Sequence, residues 1–187
     1  MKTFKQFMVE AKETAKSHIA RYTDLSRPLS RELYRLHDEG LPVPDTIEGH
    51  NIPALDDITK KTSLSKKLVV HTGIRHNPMT LVDKDNNIHI PAYLSTSESK
   101  DVADRFATRQ ARRSDRGDTL ADAHVLSIGM ERGQYGANIS GKSVEKDEAE
   151  RLLPRNTVLK IHPVPKIRTD KTGRKIHTWD AKIVSQN

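Results

Sequence analysis

The sequence predicts an α+β fold, in which a helical N-terminal portion packs on a split, mostly antiparallel β core. Apolar residues recur at helical spacing from about residue 12 to residue 65, and after Ser63 the pattern changes to short apolar runs separated by turns. A length of 187 residues suits one ordinary domain with a small helical appendage. We therefore divide the chain into a leader over 1–10, a helical region over 11–65 and a β-rich core over 66–187.

The composition limits the possible classes of function. The chain is 34% apolar and 30% charged, and its formal net charge of +7 favours nucleic acid or acidic partners without identifying one. The lack of cysteine excludes disulfides, thiolate catalysis and cysteine-based zinc sites. The nine histidines do not have the spacing of metal ligands, so no metal site is expected. No apolar run approaches the ~20 residues of a membrane span, so no membrane partner is expected either.

The leader is open to two interpretations. Phe4, Phe7 and Met8 fall at i, i+3 and i+4, as in a helical start that docks on the body of the protein. The segment Met-Lys-Thr-Phe-x-x-Phe also resembles the capsid-targeting peptide of T-even phage internal head proteins, in which a hydrophobic-x-Glu site is cut by the prohead protease. By this resemblance the site is Met8-Val9-Glu10, and the cut falls before Ala11.

In the helical region, capping residues mark two predicted helices. Ser30 suits the N-cap of a helix over 31–37, and Gly40 suits its stop. Two prolines then break the chain, and Pro53 suits the first position of the next helix.

The core region combines short strands with one helix. Apolar runs predict strands over 68–71, 88–90, 93–97, 124–130, 157–163 and 178–184. A helix is predicted over 101–113, and the residues predicted to share its apolar face are Val102, Ala103, Phe106, Ala107 and Ala111. We interpret the arginine-rich segment 109–116 as a solvated helix end rather than a nucleic-acid-binding cluster.

Two acidic residues attract attention as a candidate site. Glu148 and Glu150 are two positions apart, just before the apolar run Leu152–Leu153. On a strand, residues i and i+2 point to the same side, so these carboxylates would lie together and repel each other. Such an arrangement gains stability only from a cationic group opposite, and a substrate can supply that group.

The acidic pair forms a larger pattern with Ser95-Thr96-Ser97. A Ser-Thr-Ser strand, a helix with a buried Phe, a strand ending in a Gly turn and then Glu-x-Glu before Leu-Leu-Pro together resemble the Arg-Ser-Glu class of ADP-ribosyltransferases. The resemblance covers roughly residues 50 to 185. It implies an ADP-ribosyltransferase-like split β-sandwich with NAD held as substrate in the cleft between the sheets.

The resemblance also implies a role for each motif residue. Glu150 bonds the ribose hydroxyl and stabilises the positive charge that builds on the ribose as nicotinamide leaves. Because this charge develops only in the transition state, its stabilisation lowers the activation barrier of the reaction. Glu148 orients or deprotonates the incoming acceptor. Ser95 supports Glu150 through a hydrogen bond, while Thr96 and Ser97 stiffen the strand end and start the helix.

One motif departs from the family pattern. The family usually carries aromatic-Arg-Gly at the end of the first core strand, where the Arg grips the NAD phosphates, but this chain has His71-Thr72-Gly73. Arg75 lies two residues past the glycine and is our predicted substitute, since a long side chain tolerates a shifted anchor. Alternatively, His71 bonds a ribose, as the His of the diphtheria-like class does, or the chain binds NAD weakly.

The implied function is mono-ADP-ribosyl transfer from NAD to a host protein, on arginine because both glutamates are present. RNA polymerase and translation-associated proteins are candidate acceptors. If the leader is genuine, the enzyme travels in the phage virion, contacts DNA in the capsid and then acts in the host cytoplasm. Lys142 and Lys146 lie in the expected target-recognition loop, over 142–147. Two alternatives stay open: a non-enzymatic basic internal head protein associated with packaged DNA, and a transferase acting on nucleic acid.

Overall fold

The computed structural model describes residues 4–117, 119–140 and 149–186 and confirms the α+β fold class. The helices are α1 (Phe4–Asp38), α2 (Ile52–Lys60) and α3 (Lys100–Arg112), with one 3-10 turn at Pro78–Thr80. The strands are β1 (Thr46–Ile47), β2 (His50–Asn51), β3 (Leu68–Ile74), β4 (Asn87–Ile90), β5 (Leu94–Ser97), β6 (Ala123–Met130), β7 (Ala137–Asn138), β8 (Glu150–Leu153), β9 (Thr157–Ile161), β10 (Lys166–Thr169) and β11 (Lys175–Gln186).

Helix α1 is much longer than the helix predicted over 31–37. It continues through Pro28, and Ser30 lies inside it, so the predicted N-cap is wrong. An apolar stripe along one face explains the length of α1. Its buried side chains recur at intervals of three, four or seven residues: Ile19, Tyr22, Leu29, Leu33 and Leu36. Gly40 follows the helix with φ +65°, and its amide donates to the carbonyl of His37, which confirms the predicted stop. The predicted cut before Ala11 lies within α1.

Helix α2 begins as its sequence predicts. The side-chain oxygen of Asn51 accepts a hydrogen bond from the amide of Ala54 at 3.0 Å, and Pro53 occupies the first turn. Ile52 and Leu55 are buried together with the apolar stripe of α1. The two helices therefore share one core, which they form with residues of β1, β7 and β8 and with Ala92 and Tyr93 just before β5.

The strands of the large sheet follow the order β4-β9-β11-β6-β3-β5-β8-β7, with β10 pairing to β11 beside this path. Among the described strands, β11 and β6 pair in parallel, and the other pairs are antiparallel. The predicted division of the β core appears where β3 meets β5. These strands share the single pair His71↔Ser97, whereas β3 and β6 stay in register over the whole of Leu68–Ile74.

Helix α3 packs on one face of the sheet, across β3 and β6. Its small side chains Ala103, Ala107 and Ala111 are buried against β6 and β11. The second face of β3, β6, β9 and β11 forms a separate apolar core that includes Trp179. Phe106 is 38% exposed, so its predicted place on the buried face of this helix is wrong.

Candidate active site

The registers of four strands place polar side chains in one line across the division of the sheet. Glu150 of β8 is opposite Ser97 of β5, Ser97 is opposite His71 of β3, and His71 is opposite Ser127 of β6. Directly paired residues lie on the same face, with Cβ atoms about 5 Å apart. We call these four residues the polar row.

A cleft of about 340 Å³ lies over the polar row, between α1, α3 and the sheet. This volume is within the range of small-molecule sites. Its lining residues are Tyr22, Thr23, Ser26, His71, Thr72, Gly73, Ser95, Thr96, Ser97, Val102, Ala103, Phe106, Arg109, Gln110 and Glu150. Seven of the predicted site residues are among them: Glu150, Ser95, Thr96, Ser97, His71, Thr72 and Gly73.

Glu150 lies at the first position of β8 and is 8% exposed. Its charge acts on the buried hydroxyl of Tyr22. Burial raises the pKa of Tyr22 far above its ordinary value, the hydrogen bond with Ser95 acts against that rise, and the Glu150 carboxylate adds to it. The cleft therefore holds a carboxylate and a protonated phenol in a poorly hydrated place.

Ser95 does not have the predicted partner. Its hydroxyl shares a hydrogen bond of 3.1 Å with the hydroxyl of Tyr22, and the residue opposite Ser95 on β8 is Leu152. The serine opposite Glu150 is instead Ser97, the last residue of the Ser-Thr-Ser segment. The predicted bond from Ser95 to Glu150 is thus replaced by a contact with α1.

Thr96 and Ser97 hold the end of β5 in place. Thr96 donates its hydroxyl hydrogen bond to the carbonyl of Arg151 at 2.8 Å. The Ser97 hydroxyl accepts from the amide of Ser99 at 3.0 Å, directly before α3 begins. Both contacts agree with the predicted roles of stiffening the strand end and starting the helix.

His71 is the residue of the His-Thr-Gly motif that belongs to the polar row. Its Nδ1 lies 3.1 Å from the hydroxyl of Ser127. Burial lowers the pKa of His71, the charge of Lys100 lowers it further, and Asp104 acts in the opposite direction. The imidazole is therefore neutral at neutral pH, and a neutral ring can both donate and accept a hydrogen bond.

Thr72 is buried, and alternation along β3 directs its side chain to the other face of the sheet, opposite Leu126. Gly73 serves close packing, since a Cβ there would approach the carbonyl oxygen of Ala103 to 2.7 Å and would also meet the amide nitrogen of Ala107.

Arg75 is exposed and follows the last residue of β3, outside the cleft lining. The lining cation among the described residues is Arg109 of α3, whose guanidinium carbon lies 5.5 Å from the centre of the Phe106 ring. Neither residue was predicted to line the site, because Phe106 fitted the apolar face of the helix and Arg109 fitted its solvated end. Their i, i+3 spacing on one helix just after the Ser-Thr-Ser strand was the available signal.

Glu148, Lys142 and Lys146 lie outside the described residues. The predicted side-by-side placement of Glu148 and Glu150 required an extended backbone between them. Ala149 instead has φ +42°, and β8 begins only at Glu150. The extended backbone that the prediction assumed is therefore interrupted at Ala149, and the placement of Glu148 stays a prediction.

Two further properties bear on function. In the parts of the chain that the structure describes, no cluster of three or more histidine, cysteine or acidic side chains could hold a metal ion. None of the described helices has both the length and the apolar character needed to cross a membrane.

The family model of the ADP-ribosyltransferase exoenzymes matches residues 1–184. The chain belongs to the ADP-ribosyltransferase exoenzyme family. This membership makes the cleft the expected place of NAD-dependent ADP-ribosyl transfer, with NAD as substrate. No curated protein matches the chain.

Solved structures share the fold of this ADP-ribosyltransferase at low sequence identity. Plx2a from Paenibacillus larvae, an ADP-ribosyltransferase toxin, is 20% identical over 95% of this chain and 90% of its own, with a TM-score of 0.67. The C3 exoenzyme of Clostridium limosum is 16% identical over 91% and 85%, with a TM-score of 0.64. C3stau2 from S. aureus, solved with NAD, is 14% identical over 93% and 88%, with a TM-score of 0.62.

Proposed function

We propose that this protein transfers a single ADP-ribosyl group from NAD to an arginine of a host protein. The observation that carries the proposal is the placement of Glu150. Its carboxylate is largely buried, lines the cleft, and lies in one row with two hydroxyls and a neutral imidazole. A fixed negative charge in a poorly hydrated site stabilises a positive charge that develops next to it.

The bond that breaks joins the ribose C1′ to the nicotinamide nitrogen, which takes the electron pair as nicotinamide leaves. Glu150 would accept a hydrogen bond from the ribose and stabilise the positive charge on it. Ser97, opposite Glu150, and Ser95, held by Tyr22, supply hydroxyls near this carboxylate. His71 supplies a ring nitrogen that can bond a ribose hydroxyl.

We assign the NAD phosphates to Arg109 rather than to Arg75. Arg109 lines the cleft and lies near the ring of Phe106, which can in turn contact an aromatic base. Arg75 is exposed beyond β3 and does not line the cleft. The change Arg109→Gln should therefore raise the KM for NAD at least tenfold, because it removes charge-assisted hydrogen bonds to the phosphates. The change Arg75→Gln should leave the KM for NAD within about twofold. Equal effects in steady-state assays would contradict the assignment.

The acceptor is proposed to be arginine because the chain carries Glu-x-Glu. After the glycosidic bond breaks, a guanidine nitrogen attacks C1′ and loses its proton to Glu148. Agmatine, a small guanidine, provides a direct test. The protein should convert NAD and agmatine to ADP-ribosyl-agmatine, and Glu148→Gln should abolish this product while retaining much of the slow hydrolysis of NAD. A modified residue other than arginine, located by mass spectrometry of labelled host proteins, would refute the choice of acceptor.

Delivery in a phage head rests on the leader sequence. Its resemblance to a capsid-targeting peptide supports a virion protein that is cut before Ala11, enters the host with the DNA and acts in the host cytoplasm. RNA polymerase and translation-associated proteins remain the proposed acceptors. Mass spectrometry of virions should find a chain that begins at Ala11, and a chain that begins at Met1 would remove this part of the proposal.

The second candidate is a non-enzymatic basic head protein, which Thr72 favours because the usual arginine is missing. Host lysate incubated with labelled NAD distinguishes the two. Labelled protein bands should appear with the natural sequence, should fall at least about 100-fold with Glu150→Gln, and should persist with the exposed control Glu39→Gln. Their absence with the natural sequence favours the inert protein. Loss of label on treatment with RNase or DNase would instead identify nucleic acid as the acceptor.

A further inference from the structure

A second concave surface lies on the other side of α3, between this helix and the β10–β11 hairpin. It is open and larger than the cleft, at about 740 Å³. Three arginines of α3, Arg105, Arg109 and Arg112, line one wall, and Arg168 and Lys171 line the other. We call this surface the basic groove. It meets the cleft at Arg109, which lines both.

The helix arginines form a linear array. They occur at i, i+4 and i+7, so successive positions rise along the helix axis by about 6 Å and about 4.5 Å. Among the described residues, none of these three arginines forms an ion pair. A guanidinium group without an ion-pair partner can direct its planar set of N–H donors to two phosphate oxygens at once.

The acidic residues in the basic groove do not neutralise this array. Asp101 also lines the groove and forms no ion pair among the described residues, so it sets a single negative charge against the three helix arginines. Asp104 is engaged by Lys100 and Arg168. Asp170 accepts hydrogen bonds from the amides of Thr172 and Arg174 in its own turn, at 2.8 Å and 3.1 Å. The positive charge on the α3 wall therefore remains available to a ligand.

The chemistry of the groove favours nucleic acid over an acidic protein. A stable protein interface needs an apolar core, and the apolar residue that lines the groove, Ile176, is 2% exposed. Affinity must then come from charge, as in binding to a phosphodiester backbone. The groove also lacks an aromatic lining residue within the described chain, so bases have nothing to stack on.

We propose that the basic groove binds the phosphodiester backbone of nucleic acid without sequence preference. For Arg109 and Arg112 this proposal replaces the sequence-based interpretation of segment 109–116 as a solvated helix end. This site does not depend on the transferase reaction, and its failure would leave the proposed activity unaffected. A strand bound in the groove would pass beside the cleft at Arg109. Packaged DNA and host RNA offer the same backbone chemistry, so both have to be tested.

The test compares two triple variants that each lower the formal charge by three. The groove variant is Arg105→Gln, Arg112→Gln and Lys171→Gln. The control variant is Lys60→Gln, Lys84→Gln and Lys182→Gln, which removes exposed lysines outside the groove. Arg109 and Arg168 stay unchanged, because the first lines the cleft and the second pairs with Asp104.

Binding is measured by fluorescence anisotropy with a labelled DNA duplex and a labelled single-stranded RNA, at several salt concentrations. The groove variant should bind at least tenfold more weakly than the control variant, and its salt dependence should fall by about three counterions. If the affinities for DNA and for RNA differ, the probe that binds more tightly identifies the preferred nucleic acid. Thermal melts and NAD hydrolysis should match between the two variants, which shows that both are folded.

Three outcomes would overturn the proposal. Natural protein that fails to bind either probe removes the site. Equal losses in the two triple variants attribute binding to net charge alone. Poly-glutamate that binds as tightly as DNA, and loses affinity in the groove variant to the same extent, assigns the groove to an acidic protein.

Discussion

Tyr22 connects helix α1 to the chemistry of the cleft. Its side chain is 2% exposed, its hydroxyl bonds Ser95, and the Glu150 charge acts on it. The hydrogen bond between the two hydroxyls orients the side chain of Ser95 towards α1. Tyr22 is thus a positioning residue that acts on the carboxylate through the serine.

Replacing Tyr22 by Phe tests this role. The change removes the hydrogen bond to Ser95 at 3.1 Å and a long one to the carbonyl of Tyr93 at 3.5 Å, so the free energy of unfolding should fall by about 1 kcal/mol. The kcat for NAD hydrolysis should fall roughly tenfold, with a smaller effect on KM, because the ring still fills its place. Tyr34→Phe on the exposed face of the same helix is the control and should change neither quantity. A stability loss without a fall in kcat would mean that Tyr22 only packs.

His71 should make stability depend on pH in a defined direction. Its pKa in the folded protein is lowered from the ordinary value of 6.5, so the unfolded chain binds a proton first as the pH falls. The contribution of the neutral ring is complete above pH 6.5 and is lost below it. Unfolding free energies from denaturant titrations at several pH values should fall more steeply towards acid for the natural protein than for His71→Asn. Parallel curves would show that His71 titrates normally.

Residues that belong to a short sequence motif were predicted well, whereas residues whose role depends on tertiary contacts were predicted poorly. Glu150, Ser97 and His71 follow from short patterns, and all three line the cleft. Tyr22 could not be predicted, because an apolar stripe gives the spacing of buried residues but not which of them meets a strand 73 residues away. The backbone at Ala149 could not be predicted from the Glu-x-Glu pattern, since it is left-handed, a conformation that a non-glycine residue seldom takes.

Helix α3 separates the cleft from the basic groove, and its distance from the sheet is set by Gly73. The helix backbone passes so close that a Cβ at this position would lie 2.7 Å from the carbonyl oxygen of Ala103. Gln110 adds a side-chain hydrogen bond of 3.2 Å to the carbonyl of Gly73. The glycine of the His-Thr-Gly motif therefore affects the cleft through the position of α3.

The change Gly73→Ala should move α3 away from β3. We expect a loss of about 1–3 kcal/mol in the free energy of unfolding, measured by denaturant titration, because backbone atoms cannot yield as a flexible side chain does. The KM for NAD should rise as well, since Arg109 moves with the helix. Gly129→Ala is the matched control in a strand, where the added Cβ lies 3.7 Å from the nearest backbone oxygen and should be tolerated. Equal stability of the two variants would contradict the packing argument.

Elements with a strong period were predicted, and very short ones were not. The helix found at Lys100–Arg112 differs from the prediction by one residue at each end, and the strand at Ala123–Met130 agrees within one residue. Strand β7 has two residues, and the four residues of β10 are all exposed, so neither leaves an apolar pattern. Their positions depend on the partner strands rather than on their own sequence.

The whole chain should tolerate loss of its first ten residues. Every side chain that α1 contributes to the described core lies at Ile19 or beyond. If the leader is cut as proposed, the shortened chain has to fold and act alone. A chain that begins at Ala11 should then unfold within about 2 °C of the full chain in a thermal melt and hydrolyse NAD equally well. A chain that begins at Ser26 lacks Ile19 and Tyr22 and should melt earlier and lose activity. A large loss in the Ala11 chain would place the leader within the folded body.

The position of β11 has a consequence for how the protein forms on the ribosome. This strand is the last one described, yet it lies in the interior of the sheet, where it separates β6 from β9. Strands made earlier can pair locally, but β4 and β9 have no route to β6 until β11 has left the exit tunnel. The sheet therefore stays incomplete until β11 has been made, and until then β6 and β9 each lack the neighbour that joins them.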